Sequence, residues 1–126
     1  MLDLANPHTL NEGIKLFFAL LIGHALADYP LQGDFLALHK NRQYRDPARP
    51  LPQGLWVHCL FAHSLIHAGF VWIITGRIFF AFAELVVHLF LDFIKSEGLT
   101  GFHTDQALHV VTKIVFVVAI VQHWVA

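Results

Sequence analysis

Four stretches of the chain are almost continuously apolar, and inside them polar residues recur at intervals of four. The first runs from about Ile14 to Leu31, opened by Asn11-Glu12-Gly13 and disturbed near its end by Pro30. The second covers Leu55 to Thr75 and closes at Gly76-Arg77, and the third runs from Ile78 to Lys95 and closes at Ser96-Glu97-Gly98. The fourth spans about Thr104 to Trp124. Each is 18 to 21 residues long, close to the ~20 that cross a hydrocarbon core of ~30 Å at about 1.5 Å per residue. Helices are the economical reading, because a helix satisfies its own backbone in lipid and an open strand edge does not. The pattern predicts an all-α chain: an integral membrane four-helix bundle, one domain over residues 1–126, with spans at about 14–31, 55–75, 78–95 and 104–124.

Composition strengthens this. Of 126 residues, 56% are apolar and 13% charged, and there are 12 Phe and 3 Trp. Mean hydropathy is +0.58. An ordinary soluble domain carries about 25% charged residues, and one this small has too little interior to hide so much apolar surface. The excess faces lipid. A net charge of −1 gives no footprint for nucleic acid. The lone Cys59 allows no internal disulfide and reads as a small core hydrophobe. The N-terminal stretch lacks the basic region leading straight into an apolar run that a cleavable signal needs. The first apolar segment is therefore expected to be retained as a span.

Charge also orients the chain. The loop at 32–54 holds Lys40, Arg42, Arg45 and Arg49, and Lys95 ends the third span on the same side. Only Lys15 and Arg77 lie on the other side. The positive-inside rule then makes the loop cytoplasmic and puts both termini outside. The loop reads as a solvated topogenic connection, or else as a surface for lipid head groups or a partner.

The polar positions within the spans carry the chemistry. Span one holds His24 and Asp28; span two holds His58, His63 and His67. Span three holds Glu84, His88 and Asp92, and span four holds Asp105, His109 and Lys113. The spacing of four puts most of each set on one helix face. Counted in from the cytoplasmic ends, His24, His63, His88 and His109 form a layer with aspartates outside it, while His67, Glu84 and Lys113 lie a turn deeper. An aspartate or lysine in mid-span costs about 2.5–3.5 kcal/mol to insert, so these groups are expected to face inward and satisfy one another or an ion. A metal does this well, since it takes neutral imidazoles and carboxylates and leaves other carboxylates to orient the rings. The expected ligands are drawn from His24, Asp28, His63, His67, His88, Asp92 and His109. His8 and His103 read as loop residues, His39 and His123 as interfacial ones, and His58 as either an outer support or exposed.

Four segments together resemble a known family: His24-Ala25-Leu26-Ala27-Asp28-Tyr29-Pro30-Leu31-Gln32, then His63-Ser64-Leu65-Ile66-His67, then Glu84 to Lys95 in the pattern E-x-x-x-H-x-x-x-D-x-x-K, then Asp105-Gln106-Ala107-Leu108-His109. The resemblance is to small bacterial and phage membrane proteins grouped as domain of unknown function 3307. It implies a multi-pass protein of the bacterial inner membrane whose shared polar residues are these, and it supplies no activity. A looser likeness, in histidines and acids within short spans, is to membrane-bound metal-dependent hydrolases, and it is an analogy at the level of the fold.

The expected function is accordingly a metal-dependent membrane hydrolase. One or two divalent ions, zinc before iron or manganese, would activate water. Glu84 or Asp105 would act as general base, and Lys113 would stabilise developing negative charge. A site within the bilayer points to a lipid or lipid-linked substrate. Three alternatives stand beside it: a haem or di-iron redox protein, a proton or metal-ion transporter, and a non-catalytic phage membrane protein. Self-association into a homo-oligomer is compatible with all of them.

Overall fold

Helix α1 (Leu10–Asp28) starts on a capping box. The Glu12 backbone N–H donates to the Thr9 hydroxyl at 3.2 Å, and the Thr9 N–H donates to the Glu12 carboxylate at 3.0 Å. This reciprocal pair starts the helix four residues ahead of the apolar run that suggested Ile14. At the other end α1 stops at Asp28, short of the expected Leu31, because Pro30 has no N–H to continue the helix, and the Leu26 carbonyl accepts instead from Leu31 N–H at 3.1 Å.

The computed structural model describes residues 7–124, which contain five helices and no strand. The loop expected at 32–54 is corrected: it begins with a short helix, α2 (Gly33–His39). His39 closes that helix, its ring bonding the Phe35 carbonyl oxygen at 2.8 Å and stacking on the Phe35 ring. Helix α3 (Leu55–Thr75) has the predicted bounds and lies between Gly54 at φ +78° and Gly76 at φ +68°, backbone that a side chain would strain. Only Gly76 and Arg77 separate it from α4 (Ile78–Ser96). Helix α4 closes in a turn where Gly98 N–H bonds the Lys95 carbonyl and Leu99 N–H bonds the Ile94 carbonyl, at 2.9 and 3.0 Å. Helix α5 (Phe102–Val121) ends in the same kind of turn, with His123 at φ +54° and Trp124 N–H bonded to the Ala119 carbonyl. That turn ends the helix at Val121, ahead of the expected Trp124.

The four long helices pack in a closed ring, α1 against α3, α3 against α4, α4 against α5 and α5 against α1, with α2 against α3. Successive long helices reverse direction, so the ring has a loop end, which carries α2, and a far end. Leu16, Leu20, Val71, Phe80, Phe116, Ala119 and Ile120 fill the far half. Nearer its middle α1 comes close to α3 at Gly23, where a Cβ would lie 3.0 Å from Ile74 Cδ1 and 3.1 Å from Phe70 Cβ. Small residues of this kind are what let helix backbones approach in lipid.

The outside of the ring is apolar. Phe18, Ile73, Phe82, Val86 and Phe90 are all more than 60% exposed. Helices α1, α3 and α5 are long and apolar enough to cross a membrane. Helix α4 matches them in length but carries Glu84, Asp92 and Lys95. The chain ends themselves, expected outside the cell, lie outside the described residues.

Candidate metal centre

The loop half of the ring has an interior of ionisable groups. His63, His67, His88, His109, Glu84, Asp92, Asp105 and Lys113 are each at most 3% exposed, and His24 is 8% exposed. They face inward because the spacing of four keeps each set on the side of its helix that meets the neighbours, while residues between them carry the apolar exterior. Among the described residues the ring therefore has its charges inside and its hydrophobes on both the far interior and the outer surface.

The histidine layer is real in geometry but differs from the expected one. His24, His88 and His109 sit together, with ring centroids 5.1 Å apart for His24–His109 and 4.3 Å for His88–His109. His67, expected a turn deeper, joins them: its ring stacks on His88 at 3.7 Å and lies 4.9 Å from His24. His63 packs edge-on against both His67 and His88 at 4.7 and 5.0 Å. A sequence count of depth treats the helices as parallel rods of equal register, and close packing of α3 on α4 sets the register otherwise.

Each carboxylate has a distinct place. Asp28, 13% exposed, hydrogen-bonds His67 Nε2 at 3.0 Å, while His24 Nε2 at 3.2 Å and His63 Nε2 at 3.4 Å lie near its carboxylate without hydrogen-bonding geometry. Asp92 lies 3.5 to 3.7 Å from Nε2 of His63, His109 and His88. Asp105 Oδ1 is 3.4 Å from His109 Nε2, and its Oδ2 accepts from Lys95 Nζ at 2.8 Å. Glu84 accepts from Lys113 and lies 3.5 Å from His88 Nδ1.

Three residues that the spacing pattern did not assign complete the cluster. Lys40, at the end of α2, bonds Asp92. Lys95 bonds Asp105, and Gln106 Nε2 donates to Asp28 Oδ2 at 3.1 Å. Lys95 and Gln106 stand in the quoted motifs, which was their available signal. Lys40 had none, since it reaches Asp92 across 52 residues of sequence. His58 is exposed, whereas Cys59 is buried.

Several buried polar atoms have no hydrogen-bond partner. Both ring nitrogens of His24, His63 and His88 are in this state, with His109 Nε2, Asp105 Oδ1 and Glu84 Oε2. Three sets of donor atoms lie close enough to hold an ion, every atom within 4.8 Å of the others in its set. One is Asp28, His63, His67 and His88; the second is His24, His88 and His109; the third is Asp92, Asp105 and His109. The first unites α1, α3 and α4 and, of the three, offers four donors rather than three.

No curated protein and no solved structure matches the chain, and the likeness to metal-dependent hydrolases finds no support there. A family model described as "Protein of unknown function (DUF3307)" matches residues 16–126. The match takes in every residue of the cluster just described. The chain belongs to the DUF3307 family.

Proposed function

We propose that this chain is a metal-dependent hydrolase of the bacterial inner membrane, a four-helix bundle holding one divalent ion, zinc by preference, and acting on a lipid or lipid-linked substrate. The observation that carries this reading is the convergence of Asp28, His63, His67 and His88, where the four ring nitrogens of His63 and His88 are buried and make no hydrogen bond, three of them lying 3.4 to 3.7 Å from carboxylate oxygens. A buried polar group left unsatisfied costs about 1–3 kcal/mol. Coordination would turn that cost into binding. Three imidazoles and a carboxylate suit zinc better than magnesium or calcium, which take oxygen.

Charge supports a single ion. With every imidazole neutral, as coordination requires, four carboxylates (Asp28, Glu84, Asp92, Asp105) face three ammonium groups (Lys40, Lys95, Lys113), leaving one negative charge. One divalent cation with one anion such as hydroxide brings the cluster to neutrality, while two cations would leave a surplus in a poorly solvated interior.

When bound, the ion supplies a water of pKa about 7 and polarises a carbonyl or phosphoryl oxygen. The chain's own residues do the rest. Glu84, held by Lys113 and 3.5 Å from His88 Nδ1, is placed to accept from that nitrogen if Nε2 coordinates. Lys113 is thereby committed to Glu84 and balances its charge. Asp105, whose Oδ1 makes no hydrogen bond and lies 3.4 Å from His109 Nε2, would serve as proton acceptor. Asp28 is the most exposed carboxylate of the cluster and lies at the loop end, where a substrate enters.

Helix α4 also crosses the membrane in this reading. Glu84 and Asp92 are 1% and 3% exposed, and its outer face presents Phe79, Phe82, Val86 and Phe90. The charges that disqualify it as a solitary span are shielded by its neighbours.

Elemental analysis of protein purified without added metal tests the reading. About one zinc per chain is expected, with near-complete loss in His88→Ala and His67→Ala, and lipid-ester or phosphoester hydrolysis that chelation abolishes and zinc restores. A metal-free wild type would overturn it, and a Soret band would replace it with haem.

A further inference from the structure

The loop end has a feature the cluster does not use. A cleft of about 330 Å³ opens between the segment at 41–54 and the start of α3. Its wall carries Arg42, Arg45 and Arg49 against one carboxylate, Asp46. Arg42 is committed to Glu97 by two hydrogen bonds. Arg45 donates Nη1 to the carbonyl oxygens of Arg42 and Tyr44 at 2.8 and 2.9 Å, which braces the guanidinium without neutralising it. Arg49, 69% exposed, lies 3.6 Å from Asp46, an exposed pair that contributes little. Three guanidiniums facing Asp46 and Glu97 leave the cleft net positive.

Trp56 lines this cleft and also a second cavity, an apolar groove of about 450 Å³ between α3 and α4. Val57, Leu60, Phe61, Val86 and Phe90 wall the groove. At its upper end Phe93 meets Trp56 with ring centroids 5.9 Å apart, and the Arg42 guanidinium lies 5.7 Å over the Phe93 ring. A cationic pocket and an apolar channel thus share one aromatic wall, at the end of a helix where tryptophan marks the membrane interface.

We propose that an anionic phospholipid docks across this seam, its phosphate against Arg45 and Arg49 and one acyl chain along the α3–α4 groove. The two halves of the site match the two halves of such a molecule. Guanidinium forks bind phosphate oxygens in paired hydrogen bonds, and a choline head group would bring a cation against the arginines. A soluble anion would use the cleft and leave the groove idle. Lys40, between the cleft residues His39 and Asn41, reaches Asp92, so the docked head group lies beside the mouth of the polar cluster. The inference rests on the membrane placement given above and not on the metal.

The test is native mass spectrometry of the full chain in mild detergent, with equal phosphatidylglycerol and phosphatidylcholine of the same acyl chains. Wild type is expected to retain phosphatidylglycerol about fivefold better, and Arg45→Gln with Arg49→Gln to bring the two lipids to parity. Val86→Trp, which fills the groove, lowers retention of both. An excess of inorganic phosphate leaves retention unchanged. Equal retention by wild type, an unaltered preference in the double variant, unaltered retention in Val86→Trp, or displacement by phosphate would each overturn the proposal. Zinc measured on the same samples separates the two readings. Lipid preference with no zinc removes the metal centre alone, and zinc with no lipid preference removes this site alone.

Discussion

The same four helices enclose two unlike interiors. In the far half, Leu16, Leu20, Val71, Phe80, Phe116 and Ile120 interlock with no ionisable group among them. In the loop half, His63, His67, His88, His109, Glu84, Asp92, Asp105 and Lys113 fill the corresponding space at the same near-zero exposure. In water the first interior would supply most of the driving force for folding. In lipid it supplies little beyond packing, because acyl chains are as apolar as leucine. The polar half has no such substitute outside the ring, so it holds the helices in one register. The difference teaches that the apolar half sets how well the helices fit, and the ionisable half sets which arrangement they adopt.

The sharpest way to break this comparison is at the boundary between the halves. Lys113→Met leaves Glu84 charged and unpartnered in the interior, and the expected loss is about 3–5 kcal/mol. Adding Glu84→Leu recovers most of it in thermal unfolding, since removing both charges removes the desolvation cost as well, although His88 loses a neighbour and zinc affinity falls. Failure of the double variant to recover would show that the pair does more than balance itself. In the far half, Leu20→Ala is expected to cost about 2 kcal/mol, at the lower edge of the range for water-soluble cores. Its zinc content should match wild type. A loss of zinc there would erase the distinction between the two interiors.

The smallest effect lies outside the ring, at the pair between Arg42 and Glu97. Hydrogen bonds from Arg42 hold the Glu97 carboxyl below the usual carboxylate range, and the same contact raises Arg42. A lowered folded pKa means the contribution is present above the unfolded value, about 4.3, and is lost as pH falls through the folded one. Protection factors for backbone hydrogen exchange across residues 40–46, corrected for the intrinsic pH dependence of exchange, should therefore fall on acidification through that window, and fall again with salt at neutral pH. Exchange in the histidine layer should not follow the salt.

Much of this arrangement was legible in the residues. Helix α3 was placed without error because Gly54 and Gly76 bracket it. The start of α1 and the end of α5 depart from the hydropathy pattern because capping decides them: Thr9 and Glu12 form a box, and His123 adopts left-handed backbone. Helix α2 leaves no periodic signal, since seven residues are too few for one. The cluster's membership followed from spacing, which fixes a helix face. Its register did not, since stacking of His67 on His88 depends on how α3 and α4 slide against each other. Contacts such as Lys40 with Asp92 are invisible to spacing altogether.

The two-residue turn at Gly76 and Arg77 has a consequence for how the chain is made. A segment with the charges of α4 is poorly suited to entering a bilayer by itself. In the four-span placement proposed above, α3 and α4 would leave the ribosome as one hairpin, with His63 and His67 already opposite Asp92 and His88. Lengthening that turn with a flexible insert would separate the two insertion events, and α4 would then meet lipid with its carboxylates uncovered.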